Sequence, residues 1–424
     1  MRRRAIAFLA LALVAGGTVA LRLRLEERVT ATGVIRPADR PNSLFGALVG
    51  GAFRPLFLEY LWTKADALAR EGRNWEVVEI HGRITRLDPD NPRAYHAQAW
   101  WLTYDLAQSE PDPPERWRLY RRAIDHVRAG LARHPDDWPL LDLRFEIFFS
   151  HVAADPYLDR QCRANLGADG LAMALDAAYA MRAAHPDRPA AWDALRVAGE
   201  ETVERLLNVG RTADGARGME ELAAIGVAMR QRFPDDPVAA EVATSYPLWV
   251  PILRALETTL AAFDESGDAG PEGEALLADL EARIEALAGA PDALRTDPEV
   301  ERFDAALVAL IHSRIMGLAQ RMLLAKRPSA ALPHLDWVGR LARLTEGRLG
   351  PRMPYYTEAY VSLLRQIAEL DAAWREASGR RDPSAAALRD RLERSLEDLD
   401  RRFRERTGRS DGFTSRFVAD RFGA

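Results

Sequence analysis

PDDWP, at Pro135–Pro139, lies between two stretches of helical character, and its variants PDNP (Pro89–Pro92), PDRP (Pro186–Pro189) and PDDP (Pro234–Pro237) punctuate the chain. Proline lacks a backbone N–H and fixes φ, so it stops one helix and is tolerated in the first turn of the next. The Asp beside it accepts from the unpaired N–H groups of that new first turn. Each motif is therefore a combined stop and start signal. The turns begin at Pro89, Pro135, Pro186 and Pro234, so the intervals are 46, 51 and 48 residues, room for two helices and two turns each. Periods in this range mark solenoids, in which helix pairs that cannot bury an apolar face alone stack and build one concave and one convex wall.

The text between the turns is helical almost throughout. Ala, Leu, Arg and Glu dominate, and apolar residues return at intervals of three and four: Leu119, Ala123, Val127 and Leu131 form one such stripe. Ala123, Val127, Gly130 and Pro135 have a particular spacing: a small residue, a bulky apolar one four further on, a small one three after that, and Pro after five more. In this the chain resembles the second helix of tetratricopeptide repeats. The units before Pro89, with His81 and Ile84, and before Pro186, with Ala174, Ala178 and Met181, follow the pattern more loosely, and all are longer than the family's standard unit. The resemblance spans Phe53 to Ala261 and implies an all-α, right-handed helical-hairpin solenoid.

At the N-terminus, MRRR is followed by an uncharged run from Ala5 to Leu21. At ~1.5 Å per residue it spans roughly 26 Å, near the bilayer core thickness, and flanking Arg side chains can snorkel. A transmembrane helix is expected to precede the solenoid, with a cleaved signal peptide as the competing reading of the same residues. The resulting division is 1–25 anchor or signal, 26–43 linker, 44–262 repeats and 263–424 further helices that continue or cap the array. Arg54, Pro55 and Glu59 interrupt the second apolar segment, Leu44–Leu61, which is expected to pack as the first body helix or to rest on the membrane. The final stretch interleaves Arg with Phe403, Phe413, Phe417 and Phe422, and is read as a docking peptide or a frayed amphipathic end.

A chain of 424 residues, 48% hydrophobic and 29% charged, can bury a substantial core, and its net charge of -5 argues against nucleic acid as a partner. Cys162 is the single cysteine, so neither an intrachain disulfide nor a cysteine metal cluster can form. No HExxH, Walker, GxSxG or GxGxxG motif occurs. Three weak constellations are better explained as solvated or packed side chains than as chemistry: His81 with His96, Cys162 with His151 and Asp155, and Glu59 with Asp66 beside Trp62. No catalytic, cofactor or metal residue is therefore assigned, and an enzyme is not expected. Aromatics crowd the first repeats, and Tyr95, Trp101 and Tyr104 are the candidate partner groove. The expected function is a membrane-anchored scaffold or assembly factor of an envelope-associated complex, single-pass with its body exported, binding protein partners and no cofactor. An exported helical-toroid hydrolase or glycan-binding protein, or a transporter's substrate-binding subunit, are the alternatives.

Overall fold

A computed structural model describes residues 54–263, 270–288, 298–349, 358–407 and 412–422. The anchor or signal at 1–25, the linker at 26–43 and the apolar residues 44–53 lie outside the described residues. Every described element is helical, and no strand occurs among the described residues. The chain divides into two compact units, the first ending at Ala191 and the second beginning at Trp192.

The first unit contains α1 (Arg54–Arg70), α2 (Asn74–Leu87), α3 (Pro92–Trp100), α4 (Pro113–Leu131), α5 (Trp138–Glu146), α6 (Pro156–Leu166) and α7 (Gly170–Ala184). Helix α3 runs on into a π-helical turn at Trp101–Ala107, and α5 into another at Ile147–Val152. Each helix packs on the next, α5 on α6 through its π turn, and α3 also packs on α5, α4 on α6 and α5 on α7. Contact with the next-but-one helix is how stacked helix pairs bury faces that no single pair could cover.

Pro89, Pro135, Pro186 and Pro234 all lie in turns between helices. In three of the four motifs the cap is the one the sequence demands. Asn91 accepts from the N–H of Arg93, Asp137 from Leu140 and Asp236 from Val238 and Ala239. In PDRP the corresponding residue is Arg188, whose guanidinium instead lies 3.8 Å over the ring of Trp138. Ala123 and Val127 are buried, and a Cβ on Gly130 would stand 2.8 Å from Leu140 Cδ1 and 2.9 Å from Tyr95 Cβ. The small residue there is required by the close approach of α4 to α3 and α5.

The second unit holds most of α8 (Pro189–Asn208), followed by α9 (Thr212–Arg232), α10 (Pro237–Ala262), α11 (Gly270–Ala288), α12 (Pro298–Leu324), α13 (Pro328–Leu349), α14 (Glu358–Gly379), α15 (Ser384–Thr407) and α16 (Gly412–Phe422). Successive helices pack from α9 to α11 and from α12 to α15, and α10 also packs on α12 and α11 on α13. Helix α10 continues through Pro247 and Pro251. Both prolines are exposed, whereas Ser245, Tyr246 and Trp249 are buried, so the carbonyls that lose their N–H partners lie toward water. The segment Arg302–Leu324 is long and apolar enough to cross a membrane, but 61% of its apolar window is buried, as befits a core helix.

The Phe-rich C-terminal stretch is not a loose docking peptide where it is described. Phe413 and Phe417 are buried as α16 packs on α12 and α15, and Phe403 stands 6.0 Å from Tyr360.

Candidate functional site

The two π turns follow successive PDxP-type turns at the same interval, each after nine residues of α-helix. A π turn widens the helix locally and shifts the facing of the side chains that follow, and such turns collect at functional sites. In α3 the widening has a simple signature. Buried residues recur in pairs, Ala94 with Tyr95, Gln98 with Ala99, Leu102 with Thr103 and Leu106 with Ala107, at an interval of four rather than 3.6.

The two π turns meet through polar and aromatic groups. The Tyr104 hydroxyl donates to Glu146, and the Tyr104 ring meets His151 edge-on at 5.2 Å. On its other side His151 stacks on Tyr120 at 5.4 Å. Desolvation lowers the His151 pKa despite the opposing influence of Glu146, so the imidazole is biased toward its neutral form. Its buried Nε2 has no hydrogen-bond partner among the described residues. Burial likewise pushes the Tyr120 hydroxyl up to about 12 and raises Tyr104, where the hydrogen bond to Glu146 adds to the effect. These tyrosines are neutral donors at any physiological pH.

Above this cluster lies Trp100, 39% exposed, with its ring 5.6 Å from Trp101 and 5.3 Å from Tyr104. Of the three residues proposed from sequence as a groove, Trp101 and Tyr104 are half-buried and belong to this patch. Tyr95 is 6% exposed and serves as packing beside Gly130. Trp100, Tyr120, Glu146 and His151 complete the cluster and were not assigned to the groove.

The other constellations separate. His81 is buried against Trp62 at 5.2 Å, and desolvation lowers its pKa to about 4. Cys162 lies in the core, with its thiol pushed up to about 11 by burial. Asp155 caps α6 and pairs with Arg116 at 2.7 Å, while Glu59 and Asp66 are exposed. Among the described residues no group of three His, Cys, Asp or Glu side chains is arranged to hold a metal ion.

The second unit contains a different polar assembly, built around the buried Arg196, Glu200, Tyr246 and Asp304. Arg196 donates to Glu200 at 2.7 Å, the Tyr246 hydroxyl donates to the same carboxylate, and Asp193 takes the Arg196 Nε–H at 2.9 Å. One helical turn along α10, Trp249 donates to Asp304 at 2.6 Å and Ser245 lies 3.0 Å from its other oxygen. Desolvation raises Asp304 to about 7 against the opposing hydrogen bonds from Trp249 and Ser245. The network links α8, α10 and α12. Apart from the half-exposed Asp193 it is enclosed, so its chemistry serves packing.

No protein-family model, curated protein or solved structure matches the chain.

Proposed function

We propose that this chain is a tetratricopeptide-like, right-handed helical-hairpin interaction protein whose early repeats hold a protein partner. We further propose that an N-terminal apolar segment carries it at a membrane, with the body on the exported side. The observation that carries the partner reading is the Trp100–Trp101–Tyr104 patch, raised on π turns that follow successive PDxP-type turns at the same interval. Large aromatics that are part-exposed and rigidly backed make interface anchors, because little side-chain entropy is lost when they are covered. The single-pass anchor rests on the run Ala5–Leu21 and its flanking arginines.

A photo-crosslinking residue in place of Trp100, in the full chain in its native membrane, is expected to capture a discrete protein. The same residue in place of Trp75, which is 55% exposed and lies on α2, a helix without a π turn, is expected not to. Trp100→Ala should weaken binding of the captured protein, measured with the purified partner, by about 2 kcal/mol if the ring is a hot spot, with the melting temperature nearly unchanged. Equal capture from both positions, or none from Trp100, would remove the patch as the partner site.

A further inference from the structure

Beneath the second π turn the first unit has a half-open cleft of about 330 Å³ between α4, α5 and α7. Concave, mostly apolar clefts of roughly 300 to 1,000 Å³ with a few convergent polar groups are the usual form of a small-ligand site. Val127, Ile147, Phe148 and Met173 line it, the first three almost fully removed from solvent. The charged lining residues are Arg128 and Arg144, and no carboxylate lines it.

The two guanidinium groups are unequally engaged. Arg144 is bonded to Asp176, whose side chain is 66% exposed and so lies on the solvent side of the pair. Arg128 comes no closer than 3.9 Å to Asp125, beyond hydrogen-bond range, and its own side chain is 59% exposed. An apolar cleft with a planar, forked cation at its rim matches a ligand with an apolar body and one carboxylate, since guanidinium binds carboxylate through two parallel N–H donors. At about 30 Å³ for each water-sized group, the space holds about eleven non-hydrogen atoms, the size of octanoate.

We propose that this cleft is a binding site for a medium-chain aliphatic carboxylate, with the chain against Ile147, Phe148 and Met173 and the carboxylate on Arg128, assisted by Arg144. The site is separate from the aromatic patch and does not depend on the partner reading. The same π turn serves both, placing Ile147 and Phe148 on the cleft and His151 against Tyr104 and Tyr120.

The test uses the purified full chain and a diazirine-bearing octanoate, with mapping of the labelled peptides. Label is expected within Arg144–Phe148 or at Met173, displaced by octanoate and about tenfold less well by octanol, which lacks the charge. Arg128→Gln combined with Arg144→Gln should weaken labelling by at least about tenfold. A thermal melt shows that this double variant is folded. Label outside these helices, octanol competing as well as octanoate, or unchanged labelling in the folded double variant would each overturn the proposal.

Discussion

Each unit contains a tyrosine hydroxyl bonded to a glutamate, and the two pairs sit in opposite surroundings. Tyr104–Glu146 in the first unit is half-buried, beside His151, whose pKa desolvation lowers, and under a Trp100 ring that reaches solvent. Tyr246–Glu200 in the second is enclosed, and Arg196, only 1% exposed, donates to the same carboxylate. Water can take part in solvating the first carboxylate. The second has lost that option, and a buried charge without a partner costs several kcal/mol, so it is found with a cation and the Tyr246 hydroxyl as a further donor in the core. The same pair of residue types thus builds a surface-facing patch in one unit and a closed structural lock in the other.

The sharpest way to break the lock is Arg196→Met, which leaves Glu200 buried without its cation. Chemical denaturation should show a loss of about 3 to 5 kcal/mol. The matching change in the first unit, Arg133→Met, removes an exposed pair with Asp90 at 3.2 Å and should cost about 0 to 1 kcal/mol. A small effect of Arg196→Met would mean that the second unit's network is hydrated and that the contrast between the units is false.

Asp304 sharpens the comparison through pH. Its folded-state pKa of about 7 lies above the usual carboxyl value, owing first to desolvation and then to the Glu200 and Glu241 charges, against the lowering bonds from Trp249 and Ser245. Between the ordinary value near ~4 and this raised one, the folded chain holds a proton that the unfolded chain has released. Stability from this group is therefore full at low pH and is lost as pH rises through about 7. Asp304→Asn keeps an acceptor for Trp249 and cannot ionise. Relative to wild type, it should gain about 2 to 3 kcal/mol between about pH 5 and about pH 8 in parallel denaturation curves. A constant difference across that range would show that Asp304 does not titrate there.

The smallest effect compares the tyrosines directly. Tyr104→Phe should cost about 0.5 to 1.5 kcal/mol, because Glu146 can turn to water, and Tyr246→Phe about 1 to 3 kcal/mol, because Glu200 cannot. Equal losses would place both carboxylates in the same environment.

The helical architecture was legible in the sequence because its punctuation is local chemistry. A proline that ends a helix and an Asp that caps the next act within four residues; Asp137 and Asp236 behave as read, and in PDNP Asn91 rather than the Asp takes the cap. Arg188 departs from that role because Trp138, fifty residues earlier, offers its ring. The aromatic patch was only partly legible. Trp100 and Trp101 are neighbours in sequence, and which of them faces solvent depends on a π turn that moves the register. The four-residue recurrence of buried positions in α3 is the trace of that turn, and it was hidden under a general 3.6-residue expectation. Half of the core network was within reach, since Arg196 and Glu200 are one helical turn apart, as are Ser245 and Trp249. Asp304 was not, because 55 residues separate it from Trp249 and nothing local marks it as their acceptor.

Cys162 is the only thiol in the chain, it is fully buried, and its pKa of about 11 keeps it protonated at neutral pH. Thiol reagents act on the exposed thiolate, so the protein is functionally blank to maleimides and to nitroxide or fluorophore labels. A cysteine introduced at any exposed position becomes the sole reactive site without a prior round of cysteine removal. Distances within each unit, and the separation between the two, are thereby open to spectroscopic measurement on an otherwise native chain.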